Sequence, residues 1–397
     1  MATKKKATKK KVKKKTSAKH DAAQDRAFRF FDNREKYLMF VTTCNEKWAV
    51  AQRITRELDN VEPGENCLRI FDAGVGDGTV LSYVMRSMHE KFTHVPWLVV
   101  GKEISMEDVR IALEKMPDRF TEHPEMVLVL TNMYYSESPG LSPNSVAAAA
   151  SLNWHEVALE GSTANEFDNQ IRELQPILAA DWQVKTSKKT GNPLYVRPSV
   201  LVIYRNDRRF SLRPILPKPG QVDGKYDLLI ASQPYRARVS AELKINNVIK
   251  PLARAIAPGG RMIGIQSYGQ DPGMEIVNRI WPRDKPFKVG RKELLAATRK
   301  QLNEPSDRGL GYYAGADSKS IFQYHLHTLP SEVGGSIGTS TLMAAWNAAI
   351  YVAQVEDSRV EEVIRKGNYL DPVRKVLAKH GGLWFNDESY VITRKKF

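Results

Sequence analysis

Five residues between positions 72 and 78 combine types that serve ligand chemistry: Asp72, Gly74, Gly76, Asp77 and Gly78, in "FDAGVGDGT". Glycines at a turn between a strand and a helix take up positive φ and let a ligand lie against bare backbone. The spacing narrows the choice of ligand. A dinucleotide fingerprint, G-x-G-x-x-G, needs a third glycine at position 79, where Thr79 stands. A phosphate loop needs a lysine after its last glycine, and none follows. Two carboxylates at the turn also repel a pyrophosphate and favour a ligand of cationic character. Further along stand Glu103, the pair Asn132 and Met133, and "SQPY" with Ser232, Gln233 and Tyr235. His155 and Glu156 in "LNWHEV" are candidate bases. His325 and His327 alternate as on one strand face, but no third ligand at recognisable spacing makes them a metal site. Arg205, Arg208, Arg209 and Arg213 crowd into nine residues, and could receive an acidic or phosphate-bearing substrate or serve as a solvated face.

These residues need a framework, and the hydrophobic pattern supplies one. Residues 25–58 carry apolar side chains at three- and four-residue steps and read as a helix, broken by "VEPGEN". Strands are expected over 67–74, 96–104, 125–132, 226–233 and 259–269, and helices over 79–92, 105–116 and 241–256. Ser105, with acids in the turn after it, is the expected cap of its helix. Strand alternating with helix implies parallel pairing, so the fold class is α/β with a doubly wound, mostly parallel sheet. "SQPY" then falls at the carboxyl end of the fourth strand, where ligands bind in open sheets, while His155 and Glu156 lie in the long stretch after the third. Two segments break the rhythm. Residues 133–224 are far longer than an ordinary connection and are expected to cover the substrate. They contain a helical stretch near 164–182 and an alternating stretch, 194–216, that reads as a hairpin. Residues 270–397 form a C-terminal extension with a helix near 341–355 and a closing stretch that alternates like an antiparallel edge strand.

The turn resembles the glycine-rich first motif of class I S-adenosylmethionine (SAM) dependent methyltransferases, roughly D/E-x-G-x-G-x-G after the first strand. Other stretches fit the same resemblance in order. Glu103 stands 25 residues after Gly78, where the family places an acid for the ribose hydroxyls. Thr131-Asn132-Met133 falls where the family reads adenine, and "LARAIAPGGRMIG" resembles the family's helix closed by Pro-Gly-Gly before the fifth strand. The resemblance covers about residues 67–132 and 226–268. It implies a Rossmann-like, seven-stranded type of sheet with SAM as cofactor. Asp72, Gly74, Gly76 and Gly78 would hold the methionine part, Glu103 the ribose, Asn132 and Met133 the adenine, and Ser232 would border the methyl. "SQPY" is similar to the [D/N/S]-P-P-[Y/F/W] motif of methyltransferases acting on nitrogen, with Gln233 in place of the first proline. Ser232, Gln233 and Tyr235 are then catalytic candidates, with His155 as a base if one is used. Equally, Pro234 could simply end a strand.

The charge is concentrated. Ten lysines and no acid fall within residues 1–19, against a net charge of +15 for all 397 residues. Residues 1–22 are expected to be a disordered lysine-rich tail, because so little apolar surface cannot offset chain entropy. Such a tail is a solubilising segment or a weak tether to nucleic acid or another polyanion. Residues 23–62 are expected to be a helical cap and 63–397 the methyltransferase domain. Cys44 and Cys67 lack metal or redox spacing and are expected to pack as small apolar side chains. No apolar run reaches the length of a membrane span, so a cytoplasmic location is expected, with no membrane partner. The function expected is methyl transfer to an amine or hydroxyl of a small or medium-sized acceptor. Two alternatives stay open at this point: a nucleic-acid or protein methyltransferase recruited by the tail, and a non-catalytic SAM-binding protein.

Overall fold

The computed structural model describes residues 34–187, 192–328, 330–334 and 336–396. The expected tail, residues 1–22, and residues 23–33 of the expected cap lie outside them. The strands are β1 (Leu68–Asp72), β2 (Trp97–Lys102), β3 (Met126–Thr131), β4 (Asn153–Leu159), β5 (Val184–Thr186), β6 (Pro193–Tyr195), β7 (Ser199–Arg205), β8 (Tyr226–Ser232), β9 (Ile256–Ser267), β10 (Leu310–Tyr313), β11 (Ile321–His325) and β12 (Trp384–Arg394). Ten of them form one sheet in the order β10-β12-β9-β8-β1-β2-β3-β7-β4, with β11 also paired to β12, while β5 and β6 pair apart. The run β3-β2-β1-β8-β9 is parallel throughout. The α/β, mostly parallel, doubly wound reading therefore holds, with ten strands in the sheet rather than seven.

Alternation along each strand feeds two cores. In β1, Leu68 and Ile70 join Leu81, Val84 and Met85 of the helix Thr79–Lys91 on one face. Phe71 points to the other face, with Tyr226, Ile249 and Leu252. Strands covered on both sides carry long apolar runs, as in β3, and the interruptions in β1 and β8, Arg69 and Asp227, pair with each other. Ser105 caps its helix as expected, its hydroxyl accepting from the Asp108 N–H at 3.3 Å.

Several elements differ from the sequence reading. The single helix expected over 25–58 is two within the described residues, Arg34–Thr43 and Glu46–Thr55. The break is made by tertiary pairing: Cys44 bridges to Leu326, and Asn45 exchanges hydrogen bonds with His325. The Pro-Gly-Gly segment does not precede the fifth strand but lies inside it, as a bulge. The register jumps from Tyr226 opposite Ile256 to Leu228 opposite Arg261. Gly259 has φ +80°, and a Cβ on Gly260 would meet the Tyr226 carbonyl at 2.7 Å. No hairpin forms over 194–216. Instead β7 runs antiparallel beside β3, and β4 pairs parallel to it at the outer edge. The closing strand β12 is antiparallel but interior, between β9 and the short strands β10 and β11. A third apolar cluster joins Phe40, Tyr351, Trp346 and Phe385, packing the helices Arg34–Thr43 and Thr339–Val352 beside β12. Among the described residues, no helix is long and apolar enough to cross a membrane.

Candidate functional site

The chain builds β1, β2 and β3 outward on one side, then places β8 and β9 on the other side of β1. The carboxyl ends of β1 and β8 therefore flank the point where strand order reverses, the usual crevice for a ligand. The Ala73 N–H donates to the Ile230 carbonyl at 2.8 Å, closing the two strand ends together. Asp72 ends β1, Glu103 follows β2, and Ser232 ends β8.

The glycine turn is held by its acids. Asp72 Oδ1 accepts from the Gly74 N–H at 3.0 Å, and Glu103 Oε2 from the Gly76 N–H at 2.9 Å. Glu103 Oε1 accepts from the N–H groups of Ile104 and Ser105 at 2.8 and 2.9 Å. Asp77 accepts from the Thr79 N–H and hydroxyl, turning the chain into the helix. Gly76 and Gly78 have φ of +54° and +76°. A Cβ at Gly78 would stand 2.8 Å from Ala112, so this glycine lets two helices approach. A Cβ at Gly74 would meet no atom within 4 Å, so this position faces open space.

Carboxylates and lysines gather around the turn. Asp72 is 2% exposed, and burial pushes its carboxyl from 3.8 up to about 7, against the Gly74 hydrogen bond, with Glu103 adding to the rise. Asp108 is pushed up to about 6 by burial and by Glu103. Lys47 reaches the turn from the helix Glu46–Thr55. Burial works against its charge, but Glu46, Tyr37 and Asp77 hold its pKa well above the ordinary lysine value. Asp77 is itself held below the usual carboxylate range: burial opposes this, and Lys47 and the Thr79 hydroxyl outweigh it. Tyr135 stands near Asp72 and Glu103. Its hydroxyl donates to the Pro234 carbonyl at 2.8 Å, and the Lys102 ammonium sits 4.9 Å from its ring centre. Tyr37, Lys47, Lys102, Asp108 and Tyr135 carry no motif, and the sequence reading missed them. Their neighbours are set by packing between segments far apart in the chain.

The structure brings together Asp72, Gly74, Gly76, Gly78, Glu103, Ser232 and Gln233, and relocates four other candidates. The Asn132 side chain is 1% exposed and turned to the protein interior. Its amide donates to the carbonyls of Asp181 and Arg197, and its oxygen accepts from the Ser199 N–H at 2.9 Å. It ties β3 to the segment that follows, with both amide hydrogens and one oxygen lone pair spent there, and, buried, presents no edge to adenine. Met133 is wholly buried in the core on the Phe71 face and presents no flank. Tyr235 points inward, its hydroxyl donating to Gln266 at 2.9 Å, with Lys244 4.7 Å from its ring centre. The cation on that ring is the chain's own lysine rather than a reacting amine. His155 lies on β4, four strands from β1 or roughly 19 Å at ordinary strand spacing, and its ring pairs with Asp181. It cannot act as a base at the switch point. The arginines 205–213 follow the end of β7, level with the start of β3, so they lie at the opposite end of the sheet from the glycine turn. Arg205 is buried against Asp207. The segment 133–224 touches the site at Tyr135 and again where the Trp182 indole donates to the Glu103 carbonyl at 2.9 Å.

No protein-family model matches the chain, and no curated protein matches it. Solved structures similar to it include a Galdieria sulphuraria protein described as a sarcosine dimethylglycine methyltransferase. It shares 9% identity over 87% of this chain and 85% of its own, with a TM-score of 0.34. Geranyl diphosphate methyltransferase, in complex with geranyl diphosphate and sinefungin, shares 11% over 87% of this chain and 78% of its own, at 0.33. The rRNA methyltransferase aviRa from Streptomyces viridochromogenes shares 14% over 54% of this chain and 72% of its own, at 0.24. At TM-scores of this size the likenesses weigh neither way, and the fold class rests on the strand order and registers given above.

Proposed function

We propose that the chain binds SAM at the glycine turn and transfers its methyl group to an amine or hydroxyl of a small or medium-sized acceptor. One observation carries the reading. Two carboxylates, Asp72 and Glu103, end adjacent parallel strands at the switch point and converge on a glycine turn whose Gly74 face is open. SAM fits this donor set, because it carries an ammonium, a sulfonium and a ribose diol. Asp72 would receive the ammonium. Glu103 spends three lone-pair positions on backbone N–H groups, and its remaining capacity would accept from the ribose.

When bound, SAM supplies a methyl group activated by positive sulfur. The chain's task is then chiefly to fix the direction of approach. Ser232, which closes the strand next to Asp72, would border the methyl, and Tyr135, tied to Pro234, would stand beside it. Calorimetry of the full chain with SAM, its demethylated product S-adenosylhomocysteine (SAH) and NAD tests the cofactor. Binding of NAD without SAM or SAH would overturn the reading. Incubation of cell extract with labelled SAM, followed by mass identification, would name the acceptor.

A further inference from the structure

Beside the glycine turn stand two buried carboxylates that the cofactor reading leaves unused. The helix Glu46–Thr55 lies along β12: the Arg53 guanidinium donates to Ser389 Oγ at 2.8 Å. Glu46 is two helical turns before Arg53 and so on the same helix face, and Asp387 is two residues before Ser389 and so on the same strand face. Glu46 and Asp387 are 6% and 0% exposed. Glu46 Oε2 and Asp387 Oδ1 accept no hydrogen bond, although buried acceptors almost always have one. The cation nearest Glu46 is Lys47, at 3.6 Å, which is also drawn toward Asp77. Asp387 Oδ2 accepts from the Gln233 amide at 3.1 Å. Gln233 directly follows Ser232 and is held at φ +46°, so Asp387 is one hydrogen bond away from the strand end that borders the methyl.

We infer that Glu46 and Asp387 form the acceptor subsite, and that the acceptor is a basic amine arriving as an ammonium ion. The inference rests on the methyl-transfer reading and narrows its substrate class. Two vacant acceptor oxygens are matched by an ammonium, which brings two or more N–H donors and a positive charge, whereas a hydroxyl has a single hydrogen to give. Burial, and then Glu46, push the Asp387 carboxyl well above the usual range, which suits a proton acceptor. Asp387 in its ionised form takes one proton from the ammonium and frees the nitrogen lone pair. That pair forms the N–C bond to the methyl as the C–S bond breaks. The bonding electrons return to sulfur, leaving a neutral thioether and a methylated ammonium.

The test is calorimetric titration of the SAH-loaded full chain with benzylamine and cadaverine, and with benzyl alcohol and benzoate as uncharged and anionic counterparts. The variants are Asp387→Asn and Glu46→Gln, which keep shape and remove charge. At least one amine should bind the native chain, and each variant should bind it at least tenfold more weakly while still binding SAH. The inference is overturned if neither amine binds, if benzyl alcohol binds as well as benzylamine, or if both variants keep native amine affinity. SAH titration separates the two readings. Amine binding that depends on the carboxylates in a chain that ignores SAH would sink the cofactor assignment, and with it the role as methyl acceptor, and leave only an amine-binding site.

Discussion

The Asp72 carboxyl titrates near 7 because it is buried, and this gives the cofactor assignment a pH signature. A ligand ammonium needs the ionised form. With a pKa of about 7, roughly a tenth of the molecules are ionised at pH 6 and roughly nine-tenths at pH 8. SAM affinity should therefore rise about tenfold between those values, equivalent to about 1.4 kcal/mol. Binding near pH 7 should release a fraction of a proton, measured as the difference in heat between buffers of unlike ionisation enthalpy. Asp108, near 6, contributes mainly at the lower end of this window. Asp72→Asn isolates the effect, since it should bind SAM about 10–100-fold more weakly through the lost charge-assisted contact and lose most of the pH slope. The sign for stability is the reverse. A carboxyl whose folded pKa lies above its unfolded value favours the fold fully below about pH 4, and that contribution is lost as pH rises through 7. Without ligand, Asp72→Asn should therefore melt higher than the native chain at pH 8, by roughly 2–4 kcal/mol less the weakened Gly74 contact. SAM affinity that is flat from pH 6 to 8, or an equal slope in Asp72→Asn, would refute this account.

Other outcomes follow from particular contacts. Glu103→Gln turns an amide N–H toward the Gly76 N–H, and should weaken SAH binding by about 1.5–3 kcal/mol in a titration. Asn132→Ala should lower the melting temperature, with a loss of about 2–4 kcal/mol for three buried hydrogen bonds, yet change SAH affinity less than threefold. A large, selective loss of affinity would return Asn132 to the adenine site. Gly78→Ala must enter the left-handed region and press on Ala112, costing at least about 1–2 kcal/mol by denaturant unfolding. His155→Ala should leave methyl transfer unchanged in a labelled-SAM assay, and a tenfold drop would contradict its place on the outer strand.

The parts legible in the sequence were those fixed by neighbours in the chain. β1, its turn and the helix after it follow from an apolar run, glycines that permit positive φ and a helical apolar pattern, all within about 25 residues of one another. Glu103 was legible because β2 must follow that helix. Asn132 and Tyr235 failed for a shared reason. A residue just after a strand sits at the correct end of the sheet, but its type does not say whether its side chain turns to the crevice or to the core. Asn132 was drawn inward by carbonyls at 181 and 197, and Tyr235 by Gln266. His155 failed because β4 and β7 attach beyond β3 through pairings that leave no local trace. The break at Cys44 and Asn45 depends on residues 325 and 326, some 280 positions away.

The side of β12 away from β9 is divided between β10, opposite residues 391–394, and β11, opposite residues 384–388. The sheet margin on this side therefore offers two runs of four and five residues, interrupted by the turn and short helix between them. The end of β11 is already engaged by Asn45 and Cys44. An invading strand from another molecule would find no continuous ladder to extend, which guards against edge-to-edge aggregation. Joining β10 and β11 by deleting the intervening turn would be expected to expose a long margin and turn a well-behaved chain into one that self-associates.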